Sequence, residues 1–389
     1  MTEWKTYRAE DYCLTVTDGT HDSPKPQAEG RYLITSKHLK PSGIDFSSAN
    51  KICEEEYQKI IQRSKVEQYD ILFSMIGTVG NIHRVTIPIV DFAVKNMGIF
   101  KMGGDANKSL WMYYWLQSPI AQEYIQSRIT GSTQGYLTLG NLRDFPVCVP
   151  LLEEQRRIAG ILGAIDDKIE NNRRINDNLE QQAQALYKQW FVDNRSDDWE
   201  EIKLGDIIEI SKKSITPAQS ENTIFEHYSL PAFDDGIQPV FEKGKYIKSS
   251  KFIVEQNMFL FSKLNPRIKR IWLPDIQTEN AICSTEFIPY KPKDIAMFGF
   301  CYSIVNSDSF YEYVLSLTNG STGSHQRFHP IDTLDYELMI PNNDYIAKFE
   351  ELVMPIYRTI ARNRMECKNL ATLRDTLLPK LMNGEIKTE

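Results

Sequence analysis

No stretch of about 18 consecutive apolar residues occurs in this chain, which excludes a membrane-spanning helix. The opening residues Met1-Thr2-Glu3-Trp4-Lys5 lack the apolar core of a signal peptide, so a cytoplasmic protein is expected. Cysteine is sparse: Cys13, Cys53, Cys148, Cys283, Cys301 and Cys367 are scattered without C-x-x-C spacing, as reduced thiols are and disulfide or zinc frameworks are not. Of the six histidines only His325 and His329 have H-x-x-x-H spacing, and no Cys/His cluster accompanies them.

Catalytic signatures are also missing. Gly77-Thr78-Val79-Gly80-Asn81 lacks the lysine of a phosphate loop, and no G-x-G-x-x-G follows a strand. Asn265-Pro266-Arg267 is only a fragment of the Asn-Pro-Pro-aromatic element of a base-methylating enzyme. Of the Glu-x-Lys tripeptides that a nuclease site would need, Glu201-Ile202-Lys203 and Glu385-Ile386-Lys387 lie at a domain entrance and near the last residue. A formal charge of −7 argues against a protein that coats nucleic acid unaided, because neutralising phosphates takes Lys and Arg.

What is present is a doubling. Trp4-Lys5-Thr6-Tyr7-Arg8 followed by Asp11 returns as Trp199-Glu200-Glu201-Ile202-Lys203 followed by Asp206. Val66-Glu67-Gln68 leading to Leu72-Phe73-Ser74 returns as Val254-Glu255-Gln256 leading to Leu260-Phe261-Ser262. Each copy runs through Gly-Ser-Thr to an apolar strand closed by Pro150 or Pro341, and then enters a long helical stretch. A period near half of 389 residues is too long for a solenoid and implies a duplicated two-part unit with a pseudo-two-fold axis, a symmetry that duplex DNA shares.

The expected domains are 1–150 and 199–341, each a compact α/β (α+β) unit, with helical regions at 151–198 and 342–389. Strands are expected within 69–76, 82–90 and 258–261, and helix within 110–129 and 310–317. Asp193 opens a polar, acidic linker into the second copy.

In the first helical region Ile158, Leu162, Ile165, Ile169, Asn172, Asn176, Leu179, Ala183, Leu186 and Trp190 alternate steps of four and three, the seam of a coiled coil. Adding 191 to each number gives Phe349, Val353, Ile356, Ile360, Asn363, Cys367, Leu370, Arg374, Leu377 and Leu381. Two such seams most simply satisfy each other. About 33 helical residues span roughly 50 Å, enough to hold two globular units apart. Asn172 and Asn363 occupy equivalent seam positions, where a buried amide fixes register, although a fraying polar position has the same sequence. Pro355 should kink the second helix or mark its late start.

Several loops carry groups suited to DNA. They hold Asp18, Thr20, His21 and Lys25; Thr78 and Asn81; Ser132, Thr133 and Gln134; and Ser321, Thr322, Ser324, His325, Gln326 and Arg327. Asn and Gln pair bidentately with adenine, Arg and Lys with guanine, and small loops let the backbone approach phosphates. Each loop alone is also an ordinary turn. Residues 1–150 carry equal numbers of acids and bases, whereas 243–270 concentrate Lys243, Lys245, Lys248, Lys251, Lys263, Arg267, Lys269 and Arg270 against Glu255 alone. With Asn265 among them, these residues suggest a basic patch, although a lysine-guarded strand edge has the same composition.

Together these segments closely resemble the specificity subunit of type I restriction-modification systems. The resemblance rests on the two Trp-to-Asp openings, on Asp70-Ile71-Leu72-Phe73-Ser74 with Gly77-Thr78-Val79-Gly80, and on Gly131-Ser132-Thr133-Gln134. Most specific is Pro150-Leu151-Leu152-Glu153-Glu154-Gln155-Arg156-Arg157-Ile158-Ala159, continuing through Asp166-Asp167-Lys168-Ile169-Glu170-Asn171-Asn172 to Trp190-Phe191-Val192-Asp193. The second copy departs from it, with Ser262-Lys263-Leu264-Asn265 replacing the glycine loop and Asn343-Asp344 standing where the first copy has Glu153-Glu154-Gln155.

The resemblance implies two target recognition domains, each reading half of a bipartite double-stranded DNA site. Their paired antiparallel helices would set the spacing and dock two modification (methyltransferase) subunits and, for cleavage, restriction subunits. It further implies no catalysis by this chain, with S-adenosylmethionine, ATP and Mg held by the partners. The competing expectations are a coiled-coil adaptor without a DNA role and an autonomous DNA methylase or nuclease.

Overall fold

The computed structural model describes residues 4–40, 43–131, 135–318 and 326–386. The chain forms two compact units, Met1–Lys168 with Leu370–Glu389, and Ile169–Asn369.

In the first unit, Lys5–Arg8 pairs antiparallel with Pro146–Val149. A four-stranded sheet follows the order Thr15–Asp18, Met97–Lys101, Ile71–Ser74, Ile82–Arg84. Its two central strands are buried at every residue, so both of their faces must be covered. Strand alternation divides that burial: Ile71, Phe73 and Phe100 pack with Trp111 and Trp115, while Leu72, Met97 and Ile99 pack with Ile34 and Val94. The latter cluster rests on a second sheet of Asn50–Ile52, Arg31–Ile34 and Ala93–Val94, in which Leu33 pairs parallel with Ala93.

The helix expected over 110–129 is two helices, Ala106–Gln117 and Pro119–Arg128. Ser118 ends one and caps the other, accepting a hydrogen bond from the Ala121 N–H, with Pro119 preset for a first helical turn. Only Ile82–Arg84 of 82–90 is a strand, and Arg84 already stands opposite Ile71, the first residue of the neighbouring strand.

The second unit repeats this outline by itself. Glu200–Lys203 pairs with Glu337–Ile340, and the four-stranded order is Ile208–Ile210, Phe287–Pro292, Phe259–Ser262, Ile271–Trp272. Phe259 and Phe261 face the helices Phe298–Val305 and Asp308–Ser316, whereas Leu260 faces Trp272 and Tyr228. Its second sheet has five strands, with Glu226 to Tyr228 parallel to Ala281 to Cys283.

Both units include part of two long helices, Leu152–Tyr187, followed by a wide turn over Lys188–Asp193, and Asn343–Met382. Within the first unit Ile158, Ala159 and Leu162 share a core with Leu378, Leu381 and Met382, and Arg374 donates to Asp166 at 2.8 Å. Within the second, Ala183 and Tyr187 share a core with Phe349, Val353 and Ile360. Asn172 there donates to Glu366 at 2.8 Å, Asn176 to the Ile360 carbonyl at 3.4 Å and Arg364 to Glu180 at 2.6 Å. Ile165, Ile169, Asn172 and Asn363 are buried; Leu179, Leu186, Ile356, Leu370 and Leu377 are half-buried.

Pro355 neither starts nor ends a helix, contrary to the expected late start, since helical residues run from Asn343 through it. The carbonyl its missing N–H would have met belongs to Glu351, an exposed residue that water can serve.

Candidate nucleic-acid interface

The first unit builds a tight loop at the end of its central strand. Buried Ser74 donates its hydroxyl to the Thr78 carbonyl at 2.5 Å and accepts from the Asn81 N–H at 2.8 Å. The Gly80 N–H closes onto the Ser74 carbonyl at 3.1 Å. Gly77 and Gly80 have φ of 80° and 97°, values that favour glycine. The Gly77 N–H then donates to the Gly135 carbonyl at 3.2 Å. The loop that carries the exposed side chains of Thr78 and Asn81 is therefore tied to Gly135. Ser132, Thr133 and Gln134 lie outside the described residues, as do Ser321, Thr322, Ser324 and His325.

The second unit has the equivalent loop, built with other residues. Ser262 caps it through the Leu264 N–H at 3.2 Å, and its own N–H meets the Arg270 carbonyl at 3.0 Å. Asn265 takes a φ of 49°, the left-handed conformation asparagine tolerates best among larger residues. Its N–H donates to the Gln326 carbonyl at 3.0 Å. Gly77 with Gly135, and Asn265 with Gln326, are thus the same junction in the two units.

Folding sorts the cations of 243–270, and the single basic patch is corrected to a divided set. Lys251 is buried, donating to the Ser249 hydroxyl at 2.6 Å, and burial pushes its ammonium pKa down. Lys269 donates to the Asn306 carbonyl at 2.5 Å, and burial lowers its pKa too. Arg270, with its side chain 11% exposed, is held in a fork by Asp234 at 2.7 and 2.9 Å. Arg327 is likewise forked by Glu286 at 3.0 Å twice, yet stays exposed. Lys245 and Lys248 are exposed, Lys245 lying 4.9 Å over the Tyr246 ring. Lys263 is half-buried and Arg267 exposed.

The loop read from Asp18 to Lys25 is also sorted by burial. Asp18 is 5% exposed, and its carboxylate meets the His21 Nε2 at 2.8 Å and Arg63 at 3.4 Å, so it braces the loop and is not free to face a ligand. Arg63 also donates to the Gly19 carbonyl at 2.8 Å. Thr20 is buried and accepts from the Asp22 N–H at 3.1 Å; Lys25 is exposed. A cleft of about 370 Å³ opens here between Thr20, His21, Asp22, Lys59 and Arg63. Arg63 escaped the sequence reading because it arrives from a helix 44 residues away from the Gly19 it supports.

At the other end of each central strand from the loop lies an ion pair the sequence did not reveal. Lys101 donates to Asp70 at 2.5 Å and Glu67 at 2.8 Å, and Asp70 accepts from the Met102 N–H at 3.1 Å. Burial pushes the Asp70 carboxyl up, against the pull of the Lys101 ammonium. In the second unit Lys291 approaches Glu255 at 3.5 Å, and Met258 sulfur receives the Glu255 N–H where Asp70 receives that of Glu67. Among the described residues, no three His, Cys, Asp or Glu side chains are grouped to hold a metal ion, and no helix is long and apolar enough to cross a membrane.

Comparison with known proteins points one way. The family model of the type I restriction modification DNA specificity domain matches residues 24–181. The type I restriction enzyme MjaIX specificity subunit of Methanocaldococcus jannaschii is 27% identical over 310 residues, covering 73% of this chain and 71% of its own. The HindI specificity subunit of Haemophilus influenzae is 23% identical over 471 aligned positions, covering 99% of this chain and 100% of its own. In fold, the chain is similar to the crystal structure of a type I restriction-modification system S subunit from M. genitalium. That likeness has a TM-score of 0.58 at 16% identity over 98% of this chain and 96% of the other.

Proposed function

We propose, from the premise that this chain belongs to the type I restriction-modification specificity family, that it supplies sequence recognition to a DNA-modifying and DNA-cleaving complex. Its two copies, 1–150 and 199–341, act as tandem target recognition domains, each reading one half of a bipartite duplex target. The helical regions 151–198 and 342–389 form an antiparallel coiled coil with pseudo-two-fold symmetry. That coil fixes the separation of the half-sites and docks modification and restriction subunits. Methyl transfer and cleavage, with S-adenosylmethionine, ATP and Mg, belong to those partners.

The observation that carries this reading is the repeated loop junction, Gly77 to Gly135 and Asn265 to Gln326. In each unit a serine-capped loop on the central strand is tied to the loop that ends the domain. Polar and cationic side chains are thereby fixed before DNA arrives, which lowers the ordering cost of base readout. Different residues at one structural position suit two readers of different sequence. The opposed contacts of Asn172 with Glu366 and Asn176 with Ile360, falling on one side as they rise on the other, support an antiparallel seam. An acidic total of −7 fits a chain whose partners provide much of the phosphate grip.

The test is selection of random duplexes by the chain assembled with modification subunits. The reading expects two specified blocks separated by a fixed unspecified gap. Assembly without sequence preference, or methyl transfer and nicking by the chain alone, would overturn it.

A further inference from the structure

The second-unit loop junction contains five cations, and three are committed to the fold. Lys269 serves the Asn306 carbonyl, Arg270 is forked by Asp234, and Arg327 is forked by Glu286. Among the described residues, the side chains of Lys263 and Arg267 have no such partner. Their settings differ: Lys263 is half-buried next to the capping Ser262, whereas Arg267 is exposed at the loop tip.

That tip is unusually well determined. The Ile268 N–H donates to the Asn265 carbonyl at 3.0 Å, closing a four-residue turn in which Arg267 follows Pro266. Proline presets its own backbone angle in such a turn, and Pro266 is itself buried. The preceding Asn265 is anchored by its left-handed conformation and by its bond to Gln326. The strand at the base is held by the Ser262 N–H to the Arg270 carbonyl. Arg267 is thus an unpaired guanidinium on a backbone with little freedom left to lose. Such a fork suits the O6 and N7 pair that guanine presents in the major groove.

We infer that Arg267 is the specificity-determining residue of the second recognition unit and reads a guanine in its half-site, with the neighbouring cations acting as its support. This assignment rests on the proposed function above and adds to it the base and the residue that reads it.

The experiment compares the wild-type chain with Arg267→Ala and Arg267→Lys, each assembled with its modification subunits, by mapping methylated motifs across a genome. Arg267→Ala should lower discrimination at one G·C position by roughly tenfold to a hundredfold. The other half-site and the gap should be unchanged. Arg267→Lys, which keeps the charge but loses the fork, should relax that same position while total binding holds. An unchanged motif would overturn the assignment, as would uniform weakening over all sequences, the mark of a phosphate contact. Should Arg267→Ala lower the melting temperature, the lysine variant decides by the same criteria. A wild-type complex that methylates without any sequence preference would instead overturn the underlying reading, so the two failures are distinguishable.

Discussion

Asn363 donates its side-chain amide to the Asn176 Oδ1 at 2.9 Å, joining two buried residues of the second unit across its pair of long helices. Asn363→Ala leaves the Asn176 acceptor buried without that partner, a loss of about 1–3 kcal/mol. Replacing both residues by leucine removes the polar demand altogether and should cost far less than twice the single change. Denaturant unfolding of the two single variants and the double variant checks this; strictly additive losses would show that the amides do not act as a pair.

His83 stands opposite Leu72 on the outer strand of the first four-stranded sheet, and burial pushes its imidazole down from 6.5 to about 4. The folded protein therefore holds it neutral in a range where the unfolded chain binds a proton. Its stabilising contribution is complete above pH 6.5 and is lost as pH falls from there toward about 4. The slope is up to about 1.4 kcal/mol per pH unit. Unfolding free energies measured against pH should fall less steeply in this window for His83→Gln than for the unaltered chain. Superimposable acid limbs would exclude the assignment.

Ser74 and Ser262 cap equivalent loops, one in each unit. Ser74→Ala should loosen the 74–81 loop at a cost of about 1 kcal/mol and relax preference in one half of the target only. Ser262→Ala should do the same to the other half. Relaxation of both halves by either change, read from methylated motifs, would contradict independent reading by the two units.

Lys245 and Lys248 are exposed and lie on the cationic side of the second unit's sequence. If they meet phosphates, each alanine substitution lowers the slope of log affinity against log salt by about 1 and weakens every sequence alike. A changed base preference with an unchanged salt slope would place them against base edges instead.

The repeat was legible because its landmarks are local. Val66-Glu67-Gln68 and Val254-Glu255-Gln256 lead into strands whose alternation places Phe73 and Phe261 on corresponding faces. The long helices were legible because heptad spacing is a property of one segment. What escaped depends on residues far apart in sequence. Arg270 reads as a free cation until Asp234, 36 positions earlier, folds against it; Arg327 meets Glu286 across 41. Asp18 reads as a ligand group until Arg63 and His21 occupy it. Pro355 reads as a kink or a late helix start because proline's cost is local, while the packing of Val353 and Tyr357 around it is tertiary.

The central claim is that the helices set the distance between two separately read half-sites. One matched heptad inserted into both helices adds about 10 Å of rise, roughly three base pairs of duplex. Motif mapping of the reassembled complex should show both half-sites unaltered and the gap between them longer. An unchanged gap with methylation retained would contradict the account.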